Sequence, residues 1–331
     1  MAEDQHLVIP FGVVVIGRNE GGRLRKCLES ITRVCQKVVY VDSGSTDDSV
    51  DMARDHGVAV VELDMDIPFT AARARNEGFW HLREVAPDIG YVQFVDGDCE
   101  IAPGWLTKAA LFLDEHKGVA VVCGRRRERF PDRSVYNMLC DIEWDTPVGE
   151  AKACGGDAMM RIAALDRVGV YRDDLIAGEE PELCVRLRIA GWKIWRLDEE
   201  MTLHDAAMTN IMQWWRRSMR GGYAFAEGAY LHGTSPERHW VKESQRAVIW
   251  GGIIPVTTVI AMLVWGLWGA ILLFIYPLQI IRLAKCGRRS TRENWWFAFF
   301  LVLGKFPEVF GQLKFVYRRL VGGKQGIIEY K

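Results

Sequence analysis

Apolar positions follow two regimes along the chain. Between residue 8 and about residue 124, short β-branched runs recur: FGVVVIG, KVVYVD, VAVVEL, YVQFVD and GVAVVCG, most of them ending in Gly or Asp. Runs apolar on both faces predict buried parallel strands. Between them a helical period takes over. GGRLRKCLESI sets Leu24, Cys27, Leu28 and Ile31 on one face, and STDDSVDMARDHG opens with residues that cap helix amino termini. The alternation predicts a doubly wound α/β domain, in which ligands bind outside the carboxyl ends of the strands.

The second regime begins at Ala247. From there to Ile281 the chain runs for 35 residues without a charge, well beyond the roughly 18 that suggest a membrane span. As one helix it would measure about 52 Å against a hydrocarbon core of roughly 30 Å, so two arms of a hairpin fit better. The glycines and tryptophans of WGLWG, residues 265–269, suit a tight turn at an interface. The arms are short, and a hairpin that enters the bilayer only part way is an alternative. Arg238, Lys242 and Arg246 precede the run, and Arg282, Lys285, Arg288 and Arg289 follow it. Basic flanks at both ends place both on the cytoplasmic side of the inner membrane, with the preceding α/β domain and both termini. Beyond it, NWWFAFFLVLGKFPEVFGQLKFVYRRL mixes apolar stretches with Lys305, Glu308 and Lys314, as an amphipathic interfacial segment does. The expected divisions are residues 1–235, 236–288 and 289–331.

Composition adds exclusions. The 331 residues carry a net charge of -1, which gives no sign of a nucleic-acid partner. The eight cysteines contain no CxxC pair and read as reduced, mostly buried thiols. The acidic start, MAEDQHLVIPFG, lacks the basic and apolar regions of a signal peptide.

The strand ends carry the chemistry. Arg18, Asn19 and Glu20 follow the first, Asp42 closes the second, and Asp96 and Asp98 follow the fourth. Neither GxGxxG nor GxxxxGK[ST] is present, which argues against dinucleotide and P-loop chemistry. Carboxylates in such places suit ribose hydroxyls and a hard divalent cation, Mg²⁺ or Mn²⁺, that would bring a diphosphate to an acidic site.

VIGRNEGGRLRKCLESI, VVYVDSGSTDDS, AARARNEGF, VQFVDGDCEI and AGEEPELCVRLRIAGWKI, in that order and spacing, resemble family 2 glycosyltransferases of the GT-A fold, over about residues 8–225. The resemblance implies a Rossmann-like catalytic domain that transfers a sugar from a UDP- or GDP-sugar with inversion, assisted by Mg²⁺ or Mn²⁺. Carried onto this chain, it puts Arg18, Glu20 and Asp42 near base and ribose, Arg75 at base or diphosphate, Asp96 at the ribose, and Asp98 with His204 at the metal. The catalytic base falls in GEEPEL, at Glu180 where the family commonly has Asp, with Glu179 and Glu182 as rivals. Gly155, Gly156 and Asp157 would form a wall shared by donor sugar and acceptor. QWWRR, residues 213–217, partly matches a processive signature: Gln213 and Arg216 fit its spacing, but Arg217 stands in place of tryptophan. Processive synthesis is therefore not expected. Arg216 or Arg217 would face the diphosphate and Gln213 with Trp214 the acceptor, or the stretch is an amphipathic helix at the membrane surface.

The expected activity is transfer to a membrane lipid or lipid-linked acceptor at the cytoplasmic membrane face, in glycolipid or surface polysaccharide synthesis. A polyprenyl-phosphate glycosyltransferase is the nearest alternative. A non-catalytic membrane-bound sugar-nucleotide-binding protein and a sugar nucleotidylyltransferase are alternatives of other kinds; the latter lacks its G-x-G-[ST]-R entry loop here.

Overall fold

A computed structural model describes residues 10–322. The acidic amino-terminal stretch and residues 323–331 of the expected carboxyl-terminal segment lie outside the described residues. Two compact units are present, one formed by the chain up to Arg129 with Asp141–Ala206, the other by Phe130–Cys140 with the chain from Ala207 onward.

The first unit is built on a nine-stranded mixed sheet. Its strands are β1 (Phe11–Gly17), β2 (Val38–Asp42), β3 (Ala59–Glu62), β4 (Tyr91–Asp96), β5 (Cys99–Ile101), β6 (Val119–Glu128), β7 (Gly149–Ala151), β8 (Ala158–Arg161) and β9 (Lys193–His204). Around them lie α1 (Gly22–Thr32), α2 (Ser49–Asp55), α3 (Ala71–Val85), α4 (Trp105–Glu115), the end of α5 (Val135–Trp144), α6 (Ile162–Val168) and α7 (Glu179–Ile189). The spatial order is β3-β2-β1-β4-β8-β6-β9-β5, with β7 against β9.

The first four apolar runs form the parallel half, β3-β2-β1-β4, as their burial on both faces demands. Leu24, Cys27, Leu28 and Ile31 of α1 are all buried. The fifth run, β6, points the same way as the first four and pairs parallel with β9, but β8 enters antiparallel between β4 and β6, so the sheet is mixed and residues 8–124 do not complete it. Gly124, which reads as a strand end in the sequence, sits in a register shift within β6. A Cβ there would lie 2.7 Å from the Glu199 carbonyl oxygen and 2.7 Å from the Trp105 ring, so glycine allows the neighbours to close up while the strand continues to Glu128.

The second unit contains α8 (Ile211–His232), α9 (Val241–Val248), α10 (Ile254–Trp265), α11 (Ile275–Cys286), α12 (Thr291–Leu303) and α13 (Lys305–Val321). Val241–Cys286 is helical throughout and, with a mean hydropathy of 2.3 over its most apolar 18 residues, long and apolar enough to cross a membrane; only 17% of that window is buried. It is no single rod. At Gly266 the backbone turns to φ 61°, Gly269 packs against the backbone of Ala261, and the Tyr276 hydroxyl donates to the Trp250 carbonyl at 2.6 Å. Two arms therefore run side by side. Residues 291–321 form two helices that part near Gly304. α13 lies tightly on α8, where Gly311 meets the Met219 backbone and Gly222 meets that of Glu308. Lys305 and Glu308, the charges that interrupt the apolar pattern, pair with each other at 2.6 Å.

Gly78 seats α3 on the parallel strands, where an added Cβ would press on Val14 and come within 2.7 Å of Val41. Gly78→Val is expected to destabilise the first unit by about 1–3 kcal/mol through overpacking. A thermal unfolding scan would show this as a midpoint lower by several degrees.

Candidate active site

Parallel pairing aligns the strand ends: Gly17 is opposite Asp42, and Ile16 opposite Asp96. The loops beyond β1 and β2 are tied together by Asn19. Its backbone is left-handed, at φ 55°, its N–H donates to Ser45 Oγ at 2.9 Å, and its Oδ1 accepts the Thr46 N–H at 2.7 Å. Asp42 is buried, accepting the Gly44 and Ser45 N–H groups on Oδ2 and the Tyr40 hydroxyl on Oδ1. Glu20 pairs with Arg23 at 2.7 Å, and the Arg18 guanidinium lies 5.3 Å from the Phe69 ring centre.

Arg75 of α3 is the hub. Its buried guanidinium donates to Asp96 Oδ1 at 2.9 Å and to Glu179 Oε1 at 2.8 Å, and lies 3.1 Å from Glu180 Oε1. Thr70 caps α3 and also donates to the Asp173 carbonyl, while Asn76 bonds the Tyr171 backbone in both directions. The segment leading into α7 is thereby fixed to α3. Gly178, at φ 81°, then starts α7 with Glu179 and Glu180 facing Arg75. Burial, and next the neighbouring Glu179 charge, raise the Glu180 carboxyl to about 7, although Arg75 pulls the other way. Glu182 is held by Arg186, whose Nε lies 3.0 Å from both its oxygens.

On the other side, Asp96 Oδ2 accepts from Arg126 Nη2 at 3.1 Å. Burial pushes Asp96 upward, but Arg75 and Arg126 outweigh it and hold this carboxyl below the usual range. Asp157 is buried, accepting the Asp96 N–H at 3.0 Å and the Thr202 hydroxyl at 2.8 Å. At Gly156 a Cβ would lie 2.5 Å from Arg75 Nη2 and 2.9 Å from Asp96 Oδ2, so a side chain there would force this pair apart. Gly155 lies nearest to Arg126.

His204, at the end of β9, has Nε2 3.3 Å from Asp98 Oδ2. Its Nδ1 is buried without a hydrogen bond, 3.8 Å from Glu128 Oε2. Asp98, Cys99 and His204 offer ligand atoms all within 4.8 Å of one another. A carboxylate and an imidazole this close, with a ring nitrogen left over, fit a divalent cation. Trp144 closes one side, its ring 4.7 Å from His204 and 4.9 Å from the Arg126 guanidinium.

Residues 12–152 match the family model described as Glycosyl transferase family 2. Over that stretch the chain is similar to family 2 glycosyl transferases. Among solved structures, a mannosyltransferase from Pyrobaculum calidifontis, in complex with GDP-Man and Mn²⁺, is similar over 93% of this chain and 87% of its own, with a TM-score of 0.63 and 19% identity. Glucosyl-3-phosphoglycerate synthase from Mycobacterium tuberculosis aligns over 68% of this chain and 81% of its own, with a TM-score of 0.48 and 18% identity. No curated protein sequence matches the chain. At 19% identity the likeness to the mannosyltransferase shows a shared fold alone.

Within the first unit, the structure gathers Arg75, Asp96, Asp98, Asp157, Glu179, Glu180 and His204, with Gly156 against them. Gln213, Trp214, Arg216 and Arg217 belong to α8 of the other unit. There Gln213 accepts the Asn210 and Thr209 N–H groups at the helix start, and Trp214 is buried against Phe300. Sequence reasoning missed Arg126, Cys99 and Trp144. The basic run GRRRER, 124–129, held a signal for Arg126, but it reads as surface charge unless the strand is known to continue through Gly124.

Arg75 is 3% exposed and faces three carboxylates. Arg75→Met leaves Glu179 and Glu180 without this cation and Asp96 with Arg126 alone, and the first unit is expected to lose about 3–5 kcal/mol of stability. Denaturant titration checks this; an unchanged midpoint would remove Arg75 as the hub.

Proposed function

We propose that the chain is an inverting glycosyltransferase that moves a sugar from a UDP- or GDP-sugar to a lipid-linked acceptor at the cytoplasmic face of the membrane. The observation that carries the reaction is the Arg75 cluster, where one carboxyl, Glu180, is raised to about 7 while Asp96 beside it stays ionised. A base poised near neutral pH is what deprotonation of an acceptor hydroxyl requires. Glu180 would take that proton as the hydroxyl oxygen attacks the anomeric carbon from the face opposite the leaving nucleoside diphosphate. Glu179 and Arg75 fix its position, and Glu182, bound to Arg186, serves the helix instead. Asp98 and His204 would hold Mg²⁺ or Mn²⁺, which stabilises the departing diphosphate. Asp96 would meet the ribose, and Arg18, Glu20 and Asp42 lie near the base. The similar mannosyltransferase, solved with GDP-Man and Mn²⁺, supports the donor class and the cation.

The membrane part of the reading rests on exposed apolar surface. Leu263, Leu267 and Trp268 are each more than 80% exposed on the arms next to the turn. Water does not tolerate a face of this size, whereas lipid covers it without cost. Lys242 and Arg246 before the arms, with Arg282 and Lys285 at their end, suit anionic headgroups.

Glu180→Gln is expected to lower transfer by roughly 10²–10⁴-fold with donor affinity nearly unchanged, and Glu182→Gln to leave the rate within a small factor. In the native enzyme the rate should rise with pH through about 7, as Glu180 loses its proton. The folded-state value lies above the ordinary 4.5, so the stability this carboxyl contributes is full below that value and lost as pH rises through about 7. The glutamine variant should therefore be the more stable protein at high pH. A rate profile without that rise would remove Glu180 as the base.

The acceptor is tested with the intact chain in vesicles. Transfer should reach extracted membrane lipid or polyprenyl phosphate and exceed transfer to a free sugar. Equal rates on both would remove the case for a lipid acceptor.

A further inference from the structure

The cation site contains one group that its carboxylate and imidazole do not account for. β5 runs antiparallel along the end of β9, and Cys99 is directly paired with His204. Cross-strand partners leave the sheet on the same face, so the thiol and the imidazole are side-by-side neighbours. Cys99 is fully buried, with Sγ 3.7 Å from Asp98 Oδ1. We propose that Cys99 Sγ is the third protein ligand of the cation held by Asp98 and His204, and that the site consequently prefers Mn²⁺, Co²⁺ and Zn²⁺ to Mg²⁺. This rests on the assignment of Asp98 and His204 as metal ligands.

The distances bring the three residues together around one point. His204 Nε2 lies 3.3 Å from Asp98 Oδ2 and Cys99 Sγ 3.7 Å from Asp98 Oδ1, on the two oxygens of the same carboxylate, and one ligand atom from each residue falls within 4.8 Å of the others. A competing set, Asp96, Cys99 and Asp157, is equally compact, but Arg126 already stands in it. The guanidinium lies 3.1 Å from Asp96, 3.3 Å from Cys99 Sγ and 3.4 Å from Asp157. That set thus has its cation in the chain itself, and an added metal is directed to the His204 side. There Asp98 and Glu128 supply negative charge against the guanidinium.

On binding, the thiol S–H bond breaks, the sulfur lone pair forms the bond to the cation, and the proton leaves to solvent. Mg²⁺ demands six oxygen ligands and gains little from sulfur, whereas Co²⁺ and Zn²⁺ gain a strong bond. The thiol would thus change which cation the enzyme carries without changing the reaction.

Titrating the full-length protein with Co²⁺ tests this independently of turnover. A near-ultraviolet sulfur-to-cobalt charge-transfer band is expected, and it should survive Cys286→Ser, which removes the exposed thiol. Cys99→Ser should abolish the band and weaken Co²⁺ binding by at least about 10-fold, with Mg²⁺ binding nearly unchanged; Cys99→Ala should give the same spectrum. Co²⁺ binding that Asp98→Asn abolishes, yet without the band in the native protein, would overturn the role of Cys99 and leave the other two ligands standing. A band that persists in Cys99→Ser would also overturn it. If Co²⁺ and Mn²⁺ both fail to bind the native protein, the assignment of Asp98 and His204 fails with it.

Discussion

The first unit depends on one buried guanidinium. Arg75 joins α3 to the end of β4 through Asp96 and to the start of α7 through Glu179 and Glu180. These segments are far apart in the chain and share no backbone ladder. Burial first, and then the Glu179 charge beside it, raise Glu180, and Arg75, shared among three carboxylates, does not offset them. Arg126 supplies the second cation, between Asp96 and Asp157, and keeps the strand-end carboxyl ionised. One network therefore performs two opposed tasks: it keeps one acid charged and makes its neighbour ready to accept a proton. Glycine at 156 is part of the same arrangement, because its missing side chain leaves room for the Arg75–Asp96 contact.

The mixed half of the sheet completes what the all-parallel half begins. β9 carries Thr202 to Asp157 and His204 to Asp98 and Cys99. It reaches that place because β6 continues through the bulge at Gly124, extending its pairing with β9 as far as Glu128 and His204. The bulge thus matters to chemistry several residues away: β6 also brings Arg126 and Glu128 to the site, and α5 ends with Trp144 over both Arg126 and His204.

In the second unit close helix contact is made by glycine. Gly222 and Gly311 bring α8 and α13 together, and Gly269 brings the turn against α10. Such contacts satisfy the helices among themselves and leave large apolar side chains pointing outward, from Leu263 at the turn to Leu320 on α13.

The sequence by itself determined the parallel strands, the buried face of α1, and the positions of the acids at strand ends. Each follows from a local period or from a residue type at the end of an apolar run, and these are properties of a few neighbouring residues. It also brought Asp98 and His204 into one proposal, through ordered motifs. Choosing among Glu179, Glu180 and Glu182 was beyond it, because all three begin the same helix. Only the folded chain places Arg75 against the first two and Arg186 against the third. Arg126 and Cys99 were likewise invisible: a basic run and a lone thiol acquire meaning only when β6 and β5 are laid along β9. The division is physical. Local pattern sets which residues are buried and where strands end, but the charge a carboxyl carries and the atoms that meet a cation depend on long-range pairings, which no stretch of sequence contains.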